Sequence, residues 1–158
     1  MQEPIPPRAR LRMRLLTRLG LITRPMTLGV RALVIDEANR VLLVRHTYVP
    51  GYFFPGGGVE GGETMETAMR RELVEEANVE AEGPLTLHGI YLNHSSSPRD
   101  HVALYVTRAF RQTAPHVPDR EIAEAGFFPI DALPATTTRA TRARIAEVLH
   151  GAAPSAYW

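Results

Sequence analysis

At 158 residues with 44% hydrophobic and 22% charged side chains, the chain has the length and balance of one folded domain with its own core. The formal net charge of +1 points to no particular partner, and the absence of cysteine excludes disulfides, thiolate metal sites and cysteine nucleophiles. All 18 basic residues are arginine, so no lysine can serve as nucleophile or Schiff base, and phosphate recognition falls to arginine, backbone amides or metal.

Residues 1 to 7 carry three prolines and are expected to be a tail. Leu11, Leu15, Leu19 and Ile22 recur at three- and four-residue steps among arginines, which predicts a basic amphipathic helix over 8 to 22, ended by Pro25. Six arginines against the single acid Glu3 before residue 28 could suit an anionic contact, but they suit better a helix docked on its own domain or at a homodimer interface, with solvated arginines. The partner of this helix is not legible. We therefore divide the chain into a segment 1–24 and a domain 25–152. No apolar run approaches the roughly 18 residues of a membrane span, and the arginines interrupt any secretory signal. The expected location is the cytoplasm.

Strands are predicted over Thr27–Ile35 and Val41–Val44, joined as a hairpin through Asp36-Glu37-Ala38-Asn39. Pro50 to Gly58 reads as a long loop around Tyr52, Phe53 and Phe54. A helix follows from Thr64 to Ala77. Further strands are expected over Leu85–Leu92, His101–Phe110 and Gly126–Ile130, and a last helix over Thr138–His150. This order suggests an α/β fold, a mixed sheet between helices.

The first of these helices carries the chemistry. Thr64 is placed to cap it, and Met69, Leu73 and Ala77 form its apolar stripe. Glu72, Glu75 and Glu76 share one arc at i, i+3, i+4, where three carboxylates repel one another unless a hard cation lies among them. Mg²⁺ suits so few carboxylates, and Mn²⁺ is an alternative. Three glutamates alone are more often a solvated face. The five glycines of residues 56–62 change that balance, because they let backbone approach a phosphate just before a helix start.

Gly57, Glu63, Arg71, Glu72, Leu73, Glu75, Glu76 and Val79 together resemble the Nudix box, G-x5-E-x7-R-E-U-x-E-E-x-G-U, with U aliphatic. The box departs at its last glycine, which is Asn78 here. Asn is the best non-glycine residue for the left-handed cap that ends a helix, so the departure is expected to spare the chemistry. Val30–Arg45 is similar to the family's opening hairpin, Tyr52 to Gly57 to its loop, residues 98–105 to a MutT-type strand and Gly126 to Pro134 to its closing strand and turn.

The resemblance implies an α/β/α sandwich and a metal-dependent hydrolase in which water attacks the phosphorus of a nucleoside diphosphate derivative. It implies Glu72, Glu75, Glu76 and the Gly57 carbonyl as metal ligands, with Glu72 also able to assist as base, and Glu63 with Arg71 as the brace between loop and helix. Glu121 answers to the distal catalytic glutamate of MutT-like members, with Glu124 the runner-up. Arg45, Tyr52, Phe54 and Arg99 are candidates for binding a nucleotide-like substrate, with Arg31 a further one. A non-catalytic nucleotide sensor on the same fold is the alternative; a diphosphate isomerase is disfavoured for want of a cysteine.

Overall fold

The computed structural model describes residues 19–20 and 25–158. The basic helix expected over 8 to 22 therefore lies outside the described residues, apart from 19 and 20. Seven strands and two longer helices follow in the order β1 (Thr27–Val34), β2 (Arg40–His46), α1 (Met65–Ala77), β3 (Val79–Ala81), β4 (Thr86–Leu92), β5 (Asp100–Thr107), β6 (Phe110–Gln112), β7 (Ile122–Pro129) and α2 (Arg139–His150).

Strand alternation builds two cores. On one face Val30, Ala32 and Val34 of β1 join Leu42, Ala103 and Tyr105, covered by Ala68, Met69, Leu73 and Ala77 of α1. On the other, Leu33 and Ile35 join Val41, Leu43 and Leu104, covered by Ile145, Val148 and Leu149 of α2. Successive side chains of a strand point to opposite faces. A sheet apolar on both faces needs a helix on each, and the result is the α/β/α sandwich. The sheet is mixed: β1 runs parallel to β5, and β4 antiparallel to it.

The expected hairpin between β1 and β2 is corrected. Its turn is present: the Asp36 carboxylate accepts from the Ala38 and Arg40 amides, and Asn39 has φ 55°. The strands nevertheless diverge after one bridge, Ile35 to Val41. β1 takes β5 as partner, and β2 takes β7. Turn chemistry is local, whereas the choice of strand partner depends on which faces become buried. The strand expected over His101–Phe110 also breaks, at 108–109, and Phe110–Gln112 pairs instead with the short β3 that leaves α1.

Both helices begin at threonine caps: Thr64 accepts from the Thr67 amide and Thr138 from the Thr141 amide. Asn78 ends α1 at φ 53°, ψ 35°, in the left-handed region, with its amide donating to the Leu73 and Val74 carbonyls. Asn78→Gly should leave stability unchanged or raise it by up to about 1 kcal/mol. Asn78→Val should lower it by roughly 1–2 kcal/mol, because Cβ crowds the following carbonyl in that conformation. Thermal unfolding of the three proteins checks this; a Val variant as stable as wild type would mean the cap conformation is not required.

Candidate active site

The loop from Phe54 to Gly58 is sewn to β1: the Val30 amide donates to the Gly57 carbonyl at 2.9 Å and the Ala32 amide to the Pro55 carbonyl at 3.0 Å. From within β1, Arg31 donates to the carbonyls of Phe54 at 3.0 Å and Gly56 at 2.6 Å. Its guanidinium is held below its ordinary pKa by burial, opposed by the nearby charges of Glu76 and Glu72.

Helix α1 presents its glutamates to this loop. Glu76 is 5% exposed, and one carboxylate oxygen accepts the Gly56 amide at 2.8 Å. Its other oxygen lies 3.8 Å from Nε2 of the buried His46. Glu72 lies so close to Gly57 that a Cβ there would sit 2.5 Å from its Oε1. Ligand atoms of His46, Glu76 and Glu121 lie within 4.8 Å of one another, although they come from β2, α1 and the entry to β7.

Burial pushes the Glu76 carboxyl up to about 7, and Glu72 and Glu121 add to that rise against the Gly56 amide and Arg31. Arg31 offsets only part of the cost of ionising a carboxylate so placed, and a divalent cation would supply further counter-charge. The glycine approach, the hard oxygen donors and the buried carboxylate are of the kind that fits a hard divalent cation.

The same shift has a consequence for stability. The Glu76 pKa is raised from 4.5 in the unfolded chain to about 7 in the fold. The protonated form is favoured by folding, so its contribution is fully present below pH 4.5 and lost as pH rises through 7. In EDTA the protein should lose up to about 3 kcal/mol across that interval, at roughly 1.4 kcal/mol per pKa unit. Denaturant titrations from pH 4.5 to 8.5 should show this slope in wild type and not in Glu76→Gln; equal slopes would mean that another group is responsible.

The remaining residues singled out in the sequence sort clearly. Arg71 donates to Glu63 at 3.0 Å, to Glu72 at 2.6 Å and to Glu75 at 3.1 Å, and to the Gly58 carbonyl. Glu75 keeps 57% of its side chain exposed and stands apart from the His46, Glu76 and Glu121 group. Glu124 faces Arg45 across β2 and β7, at 3.3 Å, and accepts from Tyr52 at 2.7 Å. Arg45 and Tyr52 thus partner each other's carboxylate neighbour. Phe54 is corrected as a stacking candidate: it is 1% exposed, with its ring in the core beside Trp158. Arg99 is exposed on the loop before β5, and its carbonyl accepts the Thr27 amide. His46 had no sequence signal, being one histidine in an apolar strand.

A model of the NUDIX domain matches residues 25–149. The chain belongs to the Nudix family. A MutT Nudix hydrolase from Burkholderia pseudomallei superposes with a TM-score of 0.66 at 27% identity, covering 77% of this chain and 97% of that one. A Nudix hydrolase from Nitrosomonas europaea shares the fold with a TM-score of 0.67 at 23% identity, over 80% of this chain and 90% of that one. An ADP-ribose pyrophosphatase from Methanocaldococcus jannaschii is 39% identical over 72 residues, 44% of this chain and 42% of that protein. The curated relatives are thus matched over about two-fifths of their length. The Nudix box is the segment Gly57–Val79 that carries the loop, the brace and the glutamates described above. Among the described residues, no helix is long and apolar enough to cross a membrane.

Proposed function

We propose that this Nudix protein is a divalent-metal-dependent pyrophosphohydrolase acting on a nucleoside diphosphate derivative. The observation that carries the reading is the convergence of Glu72 and Glu76 on the glycine loop, with Glu121 arriving from β7. A cleft of about 650 Å³ opens beside that loop, with Gly57, Gly58 and Arg31 in its wall, and its size suits a nucleotide-like ligand.

Glu72, Glu76 and Glu121 would hold the metal, with the Gly57 carbonyl beside them. Bound there, a divalent cation neutralises phosphate charge and lowers the pKa of water. The protein does the positioning. Arg31 ties the loop carbonyls, so that the loop keeps its distance from α1. Arg71 fixes the rotamer of Glu72 through a 2.6 Å bond. Glu121, exposed at the entry to β7, would take a proton from the attacking water. Attack by that water on phosphorus breaks one P–O bond, and the phosphate-bearing leaving group departs with the bridging oxygen.

A phosphate-release screen tests the reading, using nucleoside triphosphates, nucleotide sugars, ADP-ribose and dinucleotides with Mg²⁺, Mn²⁺ or EDTA. The expected result is turnover of at least one class with metal and none in EDTA. Binding of these compounds without turnover under any metal would make the protein a sensor instead.

A further inference from the structure

We propose that Trp158 is a stacking wall for the nucleobase of the substrate, placed in the cleft by a strand-like segment, Ala156–Trp158, that docks on the edge of the sheet. The proposal rests on the nucleotide reading above and goes beyond it, because it assigns which end of the cleft recognises the nucleoside.

The segment is built into the fold. The Leu92 amide donates to the Ala156 carbonyl at 2.9 Å, and the Trp158 amide donates back to the Leu92 carbonyl at 3.1 Å. These bonds add a parallel bridge outside β4. Arg144 of α2 donates to the Tyr157 carbonyl at 2.6 Å and is itself held by Glu147, also at 2.6 Å. Glu147 in turn accepts the Tyr91 hydroxyl at 2.9 Å and the Ser155 amide at 2.9 Å. A buried network of one arginine, one carboxylate and one tyrosine thus pins the backbone at Ser155 and Tyr157, just before the indole.

That network fixes the ring's orientation. Tyr91 meets it edge-on at 5.6 Å between centroids and Phe54 at 6.5 Å. The Arg144 guanidinium lies 5.8 Å from its centroid. These neighbours leave Trp158 partly exposed, and it lines the same cleft as Gly57, Gly58 and Arg31. The cleft therefore runs from the glycine loop, against which Glu72 packs, to an aromatic wall. Asn93 and Asp100, joined by a 2.7 Å hydrogen bond, lie in the same wall and offer a donor and an acceptor for base or ribose edges. An indole face held rigid before the ligand arrives stacks at little entropic cost, and stacking tolerates any base.

Trp158 is the only tryptophan of the chain, so its fluorescence reports on this place alone. The probes are the α,β-methylene analogues of ADP and UDP, which the enzyme cannot cleave at the bridge, and methylenediphosphonate, the same diphosphonate without a nucleoside. With Mg²⁺ and the full chain, both nucleotide analogues should change Trp158 emission saturably, whereas methylenediphosphonate should not. By equilibrium dialysis, Trp158→Phe should bind the nucleotide analogues within about threefold of wild type. Trp158→Leu, which keeps apolar packing and removes the aromatic face, should bind them about 10- to 100-fold more weakly. Its affinity for methylenediphosphonate should be unchanged, a split that general loosening of the fold would not produce. Bound nucleotide with silent fluorescence, or a Leu variant of wild-type affinity, would overturn the assignment while leaving the diphosphate reading intact. Failure of wild type to bind any nucleotide analogue, together with no turnover in the substrate screen, would overturn both.

Discussion

Glu76→Gln should cut turnover by a factor of about 100 or more while leaving the protein folded and at least as stable without metal. The two outcomes have one cause. Glu76 is 5% exposed, and burial has pushed its carboxyl up to about 7, so the fold disfavours the negative charge it carries at pH 8. Glutamine has nearly the same shape, and its carbonyl oxygen can still accept the Gly56 amide that now donates at 2.8 Å. The loop therefore stays in place while the charge is lost. The charge is what a cation beside Glu72 and Glu121 requires, and removing it takes away an electrostatic contribution that acts at short range in a poorly solvated place. The check is kcat at saturating Mg²⁺ beside unfolding in EDTA. Undiminished turnover would remove Glu76 from the site. A loss of turnover explained by unfolding would make it a structural residue only.

The second large effect separates two adjacent glycines. Gly56→Ala should destabilise the protein by roughly 3–5 kcal/mol, a substantial part of the 5–15 kcal/mol typical of a domain. Gly56 has φ 142°, which side chains other than glycine's rarely adopt, and a Cβ there would overlap the Val30 carbonyl. Val30 is fully buried backbone of β1, so nothing nearby can move aside at low cost. Gly57→Ala should behave differently. Its Cβ would meet Glu72 at 2.5 Å, and a side-chain carboxylate can rotate away. The fold should lose about 1 kcal/mol, whereas turnover should fall about 100-fold, because Glu72 leaves the loop and its bond to Arg71. Melting temperatures and kcat for both variants decide the matter. For a chain this long, the Gly56 variant should melt roughly 10 °C lower and the Gly57 variant within a few degrees of wild type. Reversed behaviour would mean that the loop approaches α1 rather than β1 through Gly56.

Local physics explains which parts were legible in the sequence. The cap at Thr64 and the left-handed stop at Asn78 each depend on residues within one helical turn, and the structure has both. The arc of Glu72, Glu75 and Glu76 follows from helical spacing, and the glycine loop from composition. The same spacing did not reveal that Glu75 faces solvent with 57% of its side chain exposed while Glu76 is buried. That difference depends on what packs over each position, which is decided by β1 and the loop.

The sequence by itself determined the family, the helix ends and the chemistry-bearing turn, because each is written in residues that are neighbours along the chain. Tertiary structure decided the strand partners, since the sound turn at Asp36–Asn39 could not tell β2 to pair with β7. It also set the different surroundings of Glu121, the preferred candidate in the sequence, and Glu124, the runner-up. Arg45 stands opposite Glu124, and a register shift follows before His46 meets Ile122. That irregularity sends Glu124 to Arg45 and Tyr52 and brings Glu121 to His46 and Glu76. Counting residues from the closing strand cannot foresee a bulge. Phe54 and Trp158 make the same point from the other end of the cleft. Both are aromatic residues in irregular stretches, yet the Phe54 ring is almost fully buried and Trp158 is left partly open, a difference that depends on how the docked 156–158 segment packs against the core.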